Sequence, residues 1–172
     1  MRQRARVAKG IPPITGARLS GEMPLEVQNP HRDPHVQPEW AQFTRLAGDR
    51  AAILFEELRA AIGDIEGLRE DVHFVSEVVG WAPRYRLGEI TLFVVRILPG
   101  FLEAIMELEP SEREALLAAK GVSREIKDIF QKAAGNDSSA AIRVRLDSRS
   151  QVSCWTRLVK ARGRLVARHA AK

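Results

Sequence analysis

The run from Trp81 to Leu108 (WAPRYRLGEITLFVVRILPGFLEAIMEL) constrains the fold of this chain more than any other stretch. Ile90 to Ile97 is almost unbroken β-branched and apolar sequence, the pattern of a central strand covered on both faces. Leu98-Pro99-Gly100 is a turn signal, and Phe101 to Leu108 then alternates. Leu102, Ala104, Met106 and Leu108 point one way, whereas Phe101, Glu103, Ile105 and Glu107 point the other. Two such runs across a Pro-Gly turn read as a hairpin at the centre of a small sheet.

The flanking segments supply helices and further strands. Trp40, Phe43 and Leu46/Ala47 recur at helical spacing after Pro38, a favourable first helical residue. Beyond Gly48-Asp49, an apolar stripe of Leu54, Phe55, Leu58, Ile62 and Ile65 defines a second helical stretch. Val72 to Val79 alternates loosely and is expected to be a strand; Gly80 to Pro83 and Leu87-Gly88 are expected to be turns. Ser111 with Glu114 forms a capping-box pattern, and Ser123 caps a helix burying Ile126, Ile129 and Phe130. Ile142, Val144 and Leu146 alternate with Arg143 and Arg145 as a late strand. If that strand lies beside 101–108, Arg143 and Arg145 face Glu103 and Glu107, pairs worth under ~1 kcal/mol each when solvated. Ser148 with Gln151 opens the closing helix, with Val152, Trp155, Val159 and Val166 in a narrow arc. Arg157, Lys160, Arg164 and Arg168 fall on the opposite arc; Arg162 sits at the edge of the apolar side, and Gly163 is expected to bend or fray the helix.

The 172 residues suffice for one domain with a real core. The expected fold is α+β: a small antiparallel sheet of about four to five strands packed by N-terminal and C-terminal helices, with an extended N-terminal tail. Residues 1–37 hold five of the nine prolines and no apolar periodicity, and read as an extended, proline-rich basic tail. Residues 38–168 form the domain and 169–172 a short end. His31 and His35 are separated by Pro34 and lack further ligands, so they read as solvated tail residues. The lone Cys154 excludes an intramolecular disulfide and reads as a buried inert thiol. The longest apolar run contains Arg96 and is too short to span a bilayer. No secretory signal layout is present, and Pro12-Pro13 breaks any transit helix, so the expected location is cytoplasmic.

The middle of the chain also resembles a group of small bacterial α+β domains of unknown function. The resemblance rests on Gly80-Trp81, then Tyr85 and Arg86, an apolar strand, Pro99-Gly100, a second strand and the acidic start of a helix. It points to the YdhG-like fold group, frataxin-like in outline, and covers residues 48–167. The resemblance implies a fold, with ligand or metal handling as a secondary theme; it transfers no catalytic residue. The chain departs from the group in lacking a lysine between Phe74 and Val79.

Charge gives the functional expectation. Residues 1–50 carry 8 Lys/Arg against 5 Asp/Glu, residues 51–139 carry 10 against 16, and residues 140–172 carry 9 against 1. Two basic ends flanking an acidic middle fit contact with a polyanion, or assembly between basic and acidic faces. Arg157, Lys160, Arg164 and Arg168, with Arg143 and Arg145 nearby, form a candidate phosphate-neutralising surface. Arg2, Arg4, Arg6 and Lys9 form a candidate flexible arm. RNA, DNA or a ribonucleoprotein is the expected partner, without base-specific readout. There is no Gly-rich phosphate loop, nucleophile elbow or Cys/His cluster, so no catalytic residue and no cofactor is assigned, and the reading leans away from an enzyme. Glu66, Glu70 and Asp71 are the nearest approach to a carboxylate cluster for a hard cation and read as a solvated helix end, so no metal site is assigned. The alternative is a small-molecule or metal-handling domain with a pocket along the hairpin, lined by Trp81, Arg84, Tyr85, Arg96 and Glu103.

Overall fold

A computed structural model describes residues 31–120, 122–134 and 141–170. The elements run α1 (Trp40–Ile62), β1 (Leu68–Ser76), β2 (Gly80–Leu87), β3 (Ile90–Leu98), β4 (Phe101–Met106), α2 (Pro110–Ala118), α3 (Arg124–Ala134), β5 (Ile142–Leu146) and α4 (Arg149–Ala170). The five strands form one antiparallel sheet in sequence order, β1-β2-β3-β4-β5. The fold is therefore α+β, as the hairpin and its flanking helices require.

The central hairpin stands where the sequence puts it. Val95 pairs with Ala104 and Ile97 with Leu102, and these side chains enter the main core. Their neighbours Val94 and Ile105 also pair, but belong to a separate cluster with Val79, Ala82, Val75 and Ala141. Because side chains alternate along a strand, the two clusters lie on opposite faces of the sheet. All four helices contribute to the first cluster, through residues such as Phe55, Leu116, Phe130 and Trp155. The second cluster has no helical member among the described residues. Among the described residues helices thus cover one face, not two as the unbroken apolar run of β3 suggests.

A β-bulge explains part of that run. Tyr85 pairs with Phe93 and Arg86 with Thr91, so Leu92 is the extra residue in β3. Leu92 is fully buried in the main core beside Phe93. One added residue turns two consecutive side chains into the helical layer, which breaks the alternation without requiring a second covered face.

Several local expectations are corrected. The first strand spans Leu68–Ser76, not Val72–Val79, and Gly80–Pro83 opens β2 in place of a turn. Pro83 is tolerated because this part of β2 pairs with β1 alone: Pro83 faces Val72, whereas pairing to β3 starts at Arg84. The side of β2 left free by β3 is taken by the segment before α1. Trp81 N–H donates to His31 O at 2.8 Å, and Trp81 Nε1–H to Asp33 O at 2.7 Å. The packed part therefore reaches back to His31, ahead of the expected boundary at 38. His31 is half-buried, with its ring 4.7 Å from that of Phe43, and burial lowers its pKa below the ordinary 6.5. Pro38 is buried just before the cap Glu39, so it precedes the helix instead of starting it. Residues 1–30, including the proline-rich tail, lie outside the described residues.

Glycines fix two of the joints. Gly48 takes φ 74° and kinks α1 where the sequence separates its two apolar stretches. The carbonyl before it, Ala47 O, accepts from Gly100 N–H at 3.0 Å, so the kink docks on the β3–β4 turn. Helix α2 begins two residues earlier than the Ser111 pattern implies. Glu109 is its cap, Pro110 takes the first helical position, and Glu112 reaches back to Glu109 N–H at 3.2 Å. Ser123 and Ser148 cap α3 and α4 as expected, through Ile126 N–H and Gln151 N–H. Helix α4 runs through Gly163 without a break to Ala170, past the expected end at 168. Gly163 is buried, and a Cβ there would lie 3.6 Å from Ile65 Cγ2 and 3.7 Å from Leu87 Cδ1.

Candidate functional site

The outer face of α4 carries the charge. Its inner arc buries Val152, Trp155, Val159 and Val166, which fixes the opposite arc toward solvent. Arg157, Arg164 and Arg168 are exposed there, and none forms an ion pair among the described residues. Lys160, on the same arc, differs: its ammonium lies 2.8 Å from Asp64 Oδ2 and holds that carboxyl below its usual range. Arg149 at the helix start is likewise engaged, 2.7 Å from Glu57. The usable positive charge on this face is therefore three arginines spread over 157–168.

Arg143 and Arg145 do not join them. Arg145 pairs in register with Glu103, and Arg143 with Ile105, so both project from the face opposite α4. Glu107 lies beyond the end of β4, so Arg143 has Ile105 and not a carboxylate across from it. Glu103 is beside Arg145 but spends its charge on Arg96, at 2.7 Å, and both members are 5 % exposed. Arg145 instead stacks over the Phe101 ring at 4.0 Å and bonds Asp147 at 3.1 Å. The two basic groups are separated by the sheet itself. Arg2, Arg4, Arg6 and Lys9 lie outside the described residues.

The pocket expected along the hairpin does not assemble, because its residues alternate between faces. Tyr85 is buried on the helical side, stacked 4.6 Å from Phe93, and its hydroxyl donates to Glu70 at 2.5 Å. Burial first, then that carboxylate, raises the Tyr85 pKa far above the ordinary phenol range. Trp81 packs on the same side against Phe74. Arg84, Arg96 and Glu103 face the other way. Glu70 and Asp71 are split likewise: Glu70 meets Arg59 and Tyr85, whereas Asp71 meets Arg84 and Arg86. Among the described residues no group of three or more His, Cys, Asp or Glu side chains is placed to hold a metal ion. Cys154 is half-buried, with its sulfur 2.9 Å from Ser123 Oγ.

A different cleft exists, on the helix-free face. It is about 240 Å³ and is lined by His73, Val75, Arg84, Thr91, Phe93, Val94, Ile105 and Glu107. Of the expected pocket residues it keeps Arg84 alone. Sequence reasoning missed His73, Thr91 and Glu107 because their convergence depends on strand register, which the missed strand β2 sets. Arg162 was missed too: it is 4 % exposed and bonds Leu92 O at 2.5 Å and the Glu112 carboxylate at 3.0 Å. Its position at the edge of the apolar arc was the available signal.

No protein-family model matches the chain, and neither the curated proteins nor the solved structures include a significant match. Among the described residues no helix is long and apolar enough to cross a membrane.

Proposed function

We propose that this chain is a non-enzymatic binding protein that engages the phosphate backbone of RNA or DNA through the outer face of α4. The observation that carries this reading is the contrast within one helix. Lys160 and Arg149 are consumed by Asp64 and Glu57, while Arg157, Arg164 and Arg168 are exposed without an ionic partner among the described residues. Unpaired arginines spaced along a rigid, buried-backed helix neutralise phosphates at low entropic cost, and their forked donors suit phosphate oxygens. Arg2, Arg4, Arg6 and Lys9 would add charge from the other end of the chain. With all three arginines assigned to phosphate oxygens, which carry no sequence information, the expected binding is insensitive to sequence.

The test is a fluorescence-anisotropy titration of the full chain against a generic RNA and a generic DNA duplex over a range of salt. The three α4 contacts contribute about −3 to the log–log salt slope on duplex DNA. Arg157→Gln/Arg164→Gln/Arg168→Gln removes that contribution and leaves only the share of the N-terminal basic residues, whereas Lys160→Gln leaves the slope nearly unchanged, because Lys160 is already paired with Asp64. Absence of binding at low salt refutes the proposal.

A further inference from the structure

The helix-free face of the sheet has an order that the nucleic-acid reading does not use. Asp71, Arg84, Val94, Ile105 and Arg143 are successive cross-strand partners from β1 to β5, so they form one row across that face. An apolar pair, Val94 and Ile105, lies between two arginines. With strands roughly 4.8 Å apart, the arginine Cα atoms stand about 14 Å from each other. The cleft of about 240 Å³ opens over this row, with Val75, Val94 and Ile105 as its apolar floor and His73, Arg84 and Glu107 as polar walls.

We propose that this cleft binds a small amphipathic monocarboxylate, its hydrocarbon body on the Val75–Val94–Ile105 floor and its carboxylate on Arg84. Geometry selects the anionic head. Arg84 gives Nε–H and Nη2–H to the two oxygens of Asp71, at 2.8 and 2.9 Å, and Arg86 Nε lies 3.0 Å from the same carboxylate. Asp71 lies between the two guanidiniums and Glu89 adds a further negative charge near Arg84, so the head is selected by an oriented donor and not by net charge. The bidentate pair also fixes the Arg84 plane, and its Nη1 donates to no group among the described residues. Such a clamp offers a pre-oriented donor to a ligand oxygen. His73 stands at the exposed rim of the cleft; partial desolvation first, then Arg84 against the opposing Asp71, lowers its pKa, so the imidazole is neutral at pH 7 and available as a hydrogen-bond partner. Glu107 repels a carboxylate from its own end and so fixes which way the ligand lies. The apolar floor disfavours inorganic phosphate, which would strip water from its oxygens against methyl groups. The volume is below that of drug-sized pockets, which limits the ligand to a short chain or a single ring.

The experiment titrates the isotope-labelled full chain with hexanoate, 1-hexanol, hexylamine and inorganic phosphate, following amide shifts by NMR. Hexanoate is expected to give saturable shifts confined to residues around Thr91, Val94 and Ile105. Losing a charge-assisted hydrogen bond predicts at least about tenfold weaker binding of hexanol, with hexylamine and phosphate weaker still. Arg84→Met brings hexanoate down to the hexanol level, and Ile105→Trp, which fills the cleft, removes both. Arg164→Gln leaves hexanoate binding unchanged, which separates this site from the α4 surface. No saturable shift with hexanoate at about 50 mM, or equal affinity for hexanoate and hexanol, overturns the proposal; neither outcome depends on a variant that must fold.

Discussion

Replacing Arg162 by Met tests how the bulge in β3, the helix α4 and the helix α2 are joined. The extra residue Leu92 has no partner in β2, and its carbonyl accepts from Arg162 Nη1 at 2.5 Å instead. The remaining donors of the guanidinium reach Glu112, whose carboxylate also completes the α2 capping box, at 3.0 and 3.4 Å. Arg162→Met keeps the aliphatic stem but leaves the Leu92 carbonyl buried without its donor, a cost of about 1–3 kcal/mol. The lost attraction to Glu112, whose side chain is 21 % exposed, adds about 1 kcal/mol after solvent screening. The expected loss is about 3 kcal/mol, or a Tm lowered by roughly 6–12 °C for a chain of this size. Arg162→Lys recovers part of it, since an ammonium reaches one of the two acceptors but does not bridge them. Glu112→Gln costs about 1 kcal/mol, because Leu92 keeps its donor. Urea unfolding of the four proteins decides the matter. A loss under about 1 kcal/mol for Arg162→Met, with an unchanged denaturant slope, refutes the account of the bulge.

Arg96→Met strands Glu103 in a buried site and is expected to cost about 3–5 kcal/mol by urea unfolding, whereas Arg96→Met/Glu103→Leu returns most of that loss. Gly100→Ala and Gly163→Ala have opposite signs in thermal melts. The first forces alanine to φ 81° and costs about 1 kcal/mol; the second adds a methyl in ordinary contact inside a helix and gains up to about 1 kcal/mol. Acid lowers stability in two windows. His31 and His73 titrate below 6.5 when folded, so the unfolded chain binds more protons, and Tm falls as pH drops through 6.5 toward their folded values. Asp71, depressed below 3.8 by Arg84, adds a second loss as pH falls below about 4. A Tm flat from pH 7.5 to about 5 refutes the first window.

What the sequence discloses here depends on whether a residue's role is set by its own neighbours or by pairing. The β3–β4 hairpin is legible because apolar runs and a Pro-Gly turn are local signals, and α4 is legible because its two arcs are opposed. Strand β2 is not legible. Gly80 and Pro83 within it and Gly88 just after it are turn formers, and only the pairing to β1 and the contact with His31 and Asp33 make Gly80–Pro83 extended. Once β2 is lost, the register is lost, and with it the faces on which side chains lie. That is why the sequence groups Tyr85 and Arg96 into one pocket although the sheet separates them, and leaves out His73 and Glu107. The exposed arc of α4 is legible from helical spacing alone. The share of its charge already taken by Asp64, 96 residues away, is a tertiary fact with no sequence signal.

The buried Arg96–Glu103 pair makes sense as a register device more than as a source of stability. It lies on the face without helices, where Val94, Leu98, Phe101 and Ile105 are also buried, so the attraction is offset by the desolvation of both ions. Arg96 Nε, moreover, has no hydrogen-bond partner among the described residues. What the pair does supply is discrimination. Apart from these two ions, β3 from Leu92 to Leu98 and β4 are apolar, and such strands pair almost equally well in several registers. A slip of one residue sends Arg96 or Glu103 into the helical core, and a slip of two sets Arg96 against Phe101 or Ile105 while leaving Glu103 unpaired. Every alternative register therefore buries a lone charge at a cost of several kcal/mol, and the native one does not. Since Arg84, Val94, Ile105 and Arg143 share one row only in that register, the ion pair also fixes the alignment on which the proposed carboxylate cleft depends.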